Sequence, residues 1–452
     1  MDTIIKNGII ITAAETFKAD IAVNNGKIHA IGADLGTDAG SVYDAEGKYV
    51  LPGAVDAHVH LQLPVGSAVS ADTYESGTRA AACGGVTTVF DFALQGRGEG
   101  LLDNAKKMIS VFKQQACIDF ALHTAVTDID MVTVEEIKKS IDFGITSFKL
   151  YMVYKDIMSD DGALFEMLQM SRETGALIAV HAENPAIIER RIKKLLEAGK
   201  TDAWHHYESR PEFVEAEAIK RAVYLAIAAG SKLYIVHLAC KEGMEEVIKA
   251  RSEGYPVIAE TCPHYLNFTN KVYKRPDGRN FVCSPALKGA GSRDALWEGI
   301  KNGHISTVAT DHCPFQSYEK DYGIDDFTKI PNGCMGTENM FPYMLGEANK
   351  GRITFGRVVE LCCTNPAKVF GCAPQKGTLC VGSDADIVIY DPRMRFKVTK
   401  DNMHSNVDYT IWEGYEMKGY PVMTFSRGRL VYDNGRFMGE PGRGQFVRCR
   451  IS

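Results

Sequence analysis

The twelve cysteines of this 452-residue chain are scattered, and none is spaced as C-x-x-C. Cys362 and Cys363 are adjacent, which suits no disulfide framework. This pattern excludes a zinc ribbon and points to buried thiols in a reducing, cytoplasmic compartment. No run of ~18 apolar residues occurs, so no segment is expected to span a bilayer. The opening residues MDTIIKNGIIITAAETFKAD lack the basic start and long apolar core of a secretion signal. Positive charge is not in excess. The formal net charge is -6, which argues against nucleic acid or an anionic membrane as the main partner. No G-x-G-x-x-G follows an early strand, so a dinucleotide fold has little support. Internal repeats and low-complexity segments are also missing.

What remains is ordinary globular composition, 45% apolar and 24% charged, at a length that allows one large domain with a satellite. The first fifty residues alternate short β-type runs with NG and EG breaks that suit hairpins, and a similar pattern returns after GSDADIVIYDP. Neither end could bury much core alone, so residues 1–51 and 376–452 are expected to pack together as one small β-sandwich. Between them, over 52–375, short apolar strands alternate with amphipathic stretches such as VTVEEIKKSIDFG. The strand candidates are VDAHVH, VTTVFDF, IDFALHTAV, TSFKLYM, LIAVHAE, LYIVHLA, VIAETCP and STVATDHC. Eight β-then-α units are the count for a (β/α)8 barrel, an α/β fold with both faces of its parallel sheet covered.

In such a barrel the chemistry sits at the C-terminal ends of the strands. His58 and His60 end the first strand, two residues apart and therefore on one face. Lys149 lies on the fourth strand, and His181, His237 and Asp311 come near the ends of the fifth, sixth and eighth. For any single histidine the ordinary reading is a satisfied core residue. Six polar residues on one rim are hard to explain that way. Four histidines and an aspartate suit zinc, manganese or iron. Lys149 is the odd member, because an ammonium would repel a metal ion. Its neutral amine can add carbon dioxide, and the resulting carbamate is an anion with two oxygens that can bridge two metals.

The segments LPGAVDAHVHLQLP, SGTRAAACGGVTTVFDF, ITSFKLYMVY, VHAEN, SRPEFVEAEA, LYIVHL, ETCPHYL, SPALK, VATDHCPF, DFTKIPNG and KGTLCVGSDADIVIYDP run the length of the chain. With them the sequence resembles the cyclic amidohydrolases of the dihydropyrimidinase and D-hydantoinase type. The resemblance implies a barrel with a binuclear zinc site, manganese being the alternative. It implies that His58, His60 and Asp311 hold one metal, His181 and His237 the other, and that N6-carboxylated Lys149 bridges them. Tyr154 matches the tyrosine that polarises substrate. Ser284 and Asn332 match residues that grip the cyclic amide through main-chain atoms. Asp311 would act as general base and then acid while the ring opens to an N-carbamoyl amino acid. The substrates implied are cyclic ureides, 5-substituted hydantoins or 5,6-dihydropyrimidines, and the assembly implied is a homotetramer.

Two departures concern substrate choice. The loop LQLPVGSAVSADTY carries Val65 where relatives often have an aromatic residue, and SPALK stands for the commoner SPPLR. Leu63, Val65, Tyr151 and Met158 are expected to wall the pocket for the exocyclic substituent. An allantoinase or dihydroorotase would favour a more polar pocket with a basic residue. A non-catalytic scaffold of the dihydropyrimidinase-related kind would have lost ligands, and all six ligand positions are present here.

Overall fold

The computed structural model describes residues 1–451. Eight strands, Ala54–Val59, Val86–Leu94, Asp119–Ala125, Ser147–Tyr151, Leu177–His181, Leu233–Ile235, Val257–Thr261 and Thr307–Val308, form one sheet in sequence order. Every neighbouring pair is parallel. The sheet closes where Val59 bridges His312 and the His60 N–H donates to the His312 carbonyl at 2.8 Å. Asp56 reinforces the seam by accepting from the Thr310 N–H at 3.1 Å and the Thr310 hydroxyl at 2.7 Å. The result is the expected barrel, with strands buried on both faces.

The helices begin and end where local chemistry dictates. Val134–Phe143 starts at Thr133, whose hydroxyl accepts from the Glu136 N–H, and stops at Gly144 with φ 109°. Asp161–Thr174 is capped by Asp160 and ends at Gly175 with φ 78°. Side-chain N-caps satisfy the free N–H groups of the first turn, and a left-handed glycine ends the ladder without a Cβ clash.

Nine strands from the two chain ends make a second, mixed sheet. Five lie between Thr3 and Pro52 and four between Ile387 and Phe437. They join where Tyr49–Pro52 runs antiparallel to Ile387–Tyr390. Ile5, Ile10, Ile21 and Val50 from one end share a core with Ile387, Ile389 and Phe425 from the other. Residues beyond this sheet return to the barrel. The carbonyl of Gln445 accepts from Phe120, the Val447 N–H donates to Phe120, and the Cys449 N–H donates to Gly144. These contacts lie at the strands' N-terminal ends, away from the rim formed by their C-terminal ends.

Lys376 pins sheet to barrel. Its buried Nζ lies 2.6 Å from Asp119 of the third barrel strand, 2.8 Å from Asp386 and 3.0 Å from Asp384. All twelve cysteines are free thiols. Among the described residues, no helix is long and apolar enough to cross a membrane.

Candidate active site

The site forms where strands stop being strands. The sixth and eighth were expected over 233–239 and 306–313 but are regular only over Leu233–Ile235 and Thr307–Val308. Beyond them the chain turns into left-handed backbone, at φ 37° for His237 and φ 50° for Asp311. Tyr154 has φ 76°. Non-glycine residues rarely adopt these angles, and such strain persists only where the surroundings enforce it. All three residues line one cavity.

His58, His60 and Asp311 present ligand atoms within 4.8 Å of one another. The Asp311 Oδ1 lies 3.3 Å from His58 Nε2 and 3.2 Å from His60 Nε2. The His58 and His237 rings are 5.4 Å apart, and those of His237 and His181 4.5 Å. Lys149 is buried on the same rim, its Nζ 5.0 Å from the Phe92 ring centre and 5.3 Å from that of Tyr151. All six residues expected at a metal centre are thus gathered at one end of the barrel.

Their electrostatics favour cation binding. His58 Nε2, His60 Nδ1 and His237 Nδ1 are buried with no hydrogen-bond partner among the described residues. Burial and then the Lys149 charge hold the His58 imidazole well below its usual range, so it offers a lone pair. Burial also lowers the Lys149 amine to about 8, against attraction from Asp311 and Glu260. Burial opposes ionisation of Asp311, yet a proton on the His58, His60 and His237 cluster, with a hydrogen bond from His60, would hold its carboxyl well below the usual range. Orphaned nitrogens beside an ionised carboxylate are a donor set that fits divalent cations.

Sequence reasoning overlooked a supporting layer of acids. Glu260 Oε1 takes the His58 Nδ1–H at 2.8 Å and the His237 N–H at 3.0 Å, and Oε2 takes the Tyr234 hydroxyl at 2.7 Å. Glu183 lies 2.8 Å from His181 Nε2 and 2.8 Å from the Arg210 guanidinium. Despite its burial, Arg210 and His181 hold the Glu183 carboxyl far below normal. A carboxylate on one ring nitrogen fixes the tautomer and leaves the other nitrogen for a metal. Lys288, the departure in SPALK, donates from Nζ to the Arg210 carbonyl at 2.6 Å. Glu183 and Glu260 fall in VHAEN and ETCPHYL, and a carboxylate beside a histidine-bearing strand end was the available signal. His312 and His123 are also satisfied structurally. His312 Nε2 lies 2.9 Å from Asp72, and His123 Nε2 lies 3.0 Å from the Ala57 carbonyl.

A cavity of about 480 Å³ opens onto this rim. His60, Lys149, His181, His237 and Asp311 form its floor. Tyr154, Ser284 and Asn332 line one side, and burial keeps the Tyr154 hydroxyl protonated. Ser284 Oγ and Asn332 Oδ1 are buried and unpartnered among the described residues. Leu63, Val65 and Tyr151 are on the wall as expected, but Met158 is not. It bridges Tyr151 through the backbone and turns outward, 42% exposed, while Ile157 takes the wall position. A larger polar groove beside the terminal sheet, about 850 Å³, contains none of these residues.

A model of the amidohydrolase family matches residues 49–431. The chain belongs to the amidohydrolase family. Within that family it is 42% identical to the D-hydantoinase of Ralstonia pickettii, over 100% of this chain and 99% of the relative. It is 40% identical to a D-phenylhydantoinase of Escherichia coli O1:K1 / APEC, over 99% and 98%. A solved D-hydantoinase structure superposes with a TM-score of 0.97 at 42% identity, covering 100% of this chain and 99% of that one. The dihydropyrimidinase from Brevibacillus agri NCHU1002 gives 0.97 at 40% identity, with the same coverage. Barrel enzymes in general carry their active sites at the strands' C-terminal ends, the end at which these residues gather.

Proposed function

We propose that this protein is a metal-dependent cyclic amidohydrolase that opens 5-substituted hydantoins or 5,6-dihydropyrimidines to N-carbamoyl amino acids. The observation that carries the reading is one cavity floored by His60, His181, His237, Lys149 and Asp311, with His58 beside His60 and Asp311, in a chain about 40% identical to hydantoinases along its whole length. Two divalent ions, zinc before manganese, would be held by His58, His60 and Asp311 and by His181 and His237. The Lys149 amine, once carboxylated by carbon dioxide, would bridge them. When bound, such a pair supplies water of lowered pKa and a Lewis acid for the scissile carbonyl.

The chain's own groups do the rest. Tyr154 stays protonated and donates its O–H to the carbonyl oxygen as negative charge develops there. Ser284 and Asn332 hold the cyclic amide in place on the cavity side. Asp311 accepts the proton of the attacking water and returns it to the departing ring nitrogen. The N–C bond breaks, and no serine or cysteine nucleophile takes part. Leu63, Val65, Tyr151 and Ile157 exclude water around the exocyclic substituent and favour an apolar group there. That apolar stretch favours a hydantoin or dihydropyrimidine over allantoin and dihydroorotate, although Lys155 and Asp156 also line the cavity. We also propose a cytoplasmic homotetramer.

The test is a kinetic panel on metal-loaded enzyme: dihydrouracil, hydantoin, both enantiomers of a 5-substituted hydantoin, allantoin and dihydroorotate. Turnover of a hydantoin or dihydropyrimidine well above the last two is the expected result. A preference for allantoin or dihydroorotate would overturn the substrate assignment. Undiminished activity in fully metal-free protein would overturn the mechanism.

A further inference from the structure

Away from the catalytic rim, three residues of distinct metal-binding chemistry meet from three chain segments. Cys83 ends the helix Tyr74–Cys83, Glu338 sits in the first turn of Thr337–Asn349, and His404 follows the short turn Lys400–Asn402. One ligand atom from each lies within 4.8 Å of the others. Cys83 and Glu338 are buried, while the His404 side chain is 23% exposed and gives the cluster its opening to solvent.

The approach is built into the backbone. Gly84 lets the helix end press against the next segment, because a Cβ there would stand 2.3 Å from the Glu338 carbonyl oxygen. The Glu338 carboxylate is fixed at both oxygens by His404, from Nδ1 at 2.6 Å and the backbone N–H at 2.7 Å. Among the described residues no lysine or arginine pairs with Glu338, so this buried carboxylate has only an imidazole to balance its charge. Buried carboxylates ordinarily need a cation beside them.

We propose that Cys83, Glu338 and His404 form a second metal site that takes one divalent ion of borderline softness, zinc or cobalt, with solvent as the remaining ligand. Thiolate, imidazole and carboxylate are all zinc ligands, and three protein ligands with one open position is an established coordination pattern. Binding displaces the Cys83 thiol proton and the proton shared by His404 Nδ1 and Glu338. Burial and the Glu338 charge push the Cys83 thiol well above its usual range, so only a cation at this place would hold it as thiolate. The site shares no ligand with the catalytic rim, and its donor set differs in one decisive respect: it contains sulfur.

That difference supplies the test. Metal-free enzyme is reloaded with cobalt(II), bound cobalt is counted by elemental analysis, and the near-ultraviolet spectrum is recorded. A nitrogen and oxygen donor set cannot give an intense thiolate-to-cobalt charge-transfer band. The expected result is such a band, together with one cobalt more than the ring-opening centre retains. Cys83→Ser removes both the band and the additional ion and leaves ring opening unchanged, since Cys83 does not line the substrate cavity. Absence of the band in wild-type protein that is active with cobalt overturns the proposal. A band that survives Cys83→Ser also overturns it and assigns the sulfur to another cysteine, such as Cys313 beside Asp311. Should Cys83→Ser fold poorly, His404→Ala decides in its place: it is expected to lose the band and the additional cobalt, and a band and count that survive it overturn the proposal.

Discussion

Replacing Glu260 by Gln isolates the effect of one negative charge behind the histidines proposed to bind metal. The carboxylate accepts from His58 Nδ1, the His237 N–H and the Tyr234 hydroxyl. In Glu260→Gln the amide carbonyl can keep the first two bonds. The amide N–H₂ then faces the Tyr234 oxygen, and Tyr234 turns its own proton to Thr307 Oγ1, already 2.7 Å away. Every hydrogen bond survives, and the shape is conserved. What is lost is the charge that makes the His58 ring a stronger donor. Loss of such a partner weakens metal binding about 10–100-fold, or about 1.4–2.7 kcal/mol. The assay is competition with a graded series of chelators, read by metal content and by residual ring-opening rate. Thermal unfolding of the metal-free variant should match metal-free wild type, because the fold keeps its bonds. Metal affinity within two-fold of wild type would refute the argument. So would equal destabilisation of the metal-free protein, which would make Glu260 a packing residue.

Four further outcomes follow from named contacts. Lys149→Ala should lose metal and activity, with partial rescue by short carboxylic acids that replace the bridging anion; full activity without them rules out the bridge. Tyr154→Phe should cut turnover at least ~10-fold through the missing oxyanion donor while metal content stays intact, and lost metal would mean that the tyrosine serves the metal centre itself. Lys376→Met should destabilise by about 3 kcal/mol, the low end for a broken buried pair, because Asp119 keeps Arg427 and Asp384 keeps Lys27 while Asp386 is left without its cation. Calorimetry should show a fall of roughly 3 °C for a chain of this length, and an unchanged midpoint would contradict it. The fourth concerns pH. Burial, then the Arg210 charge, lowers His206 from 6.5 to about 3 in the folded chain. The unfolded chain therefore binds the extra proton, and this stability is complete above about pH 6.5 and falls by up to about 1.4 kcal/mol per unit toward pH 3. His206→Gln, which can still donate to the Cys283 carbonyl, should flatten that acid limb in denaturant titrations at pH 7, 5 and 4. Parallel acid limbs in the two proteins would show that His206 does not carry it.

The barrel was legible because its strands are short apolar runs between capped, amphipathic helices, and these are properties of neighbouring residues. VDAHVH could be placed on a rim for the same reason: alternation along a strand sets His58 and His60 on one face. Lys149 stood out as a cation among ligand types, but a rim lysine paired with an acid was equally open, and the carbamate rests on the family resemblance. The wall residues were read less well. Met158 and Ile157 differ in sequence by one step, and loop backbone rather than side-chain type turned the first outward and the second in.

What the sequence determined by itself was the inventory: eight strand-helix units, two β-rich ends that need each other's core, and six candidate ligand residues at strand ends. What only the tertiary structure decided was the pairing across long stretches of chain. Glu260 reaches His58, Glu183 reaches Arg210, and Cys83 meets Glu338 and His404. It also decided the left-handed turns at His237 and Asp311, two residues of the cavity lining. Local pattern fixes which face of an element a residue occupies. Which residue from elsewhere stands opposite follows from closing the barrel, and no spacing along the chain encodes that distance.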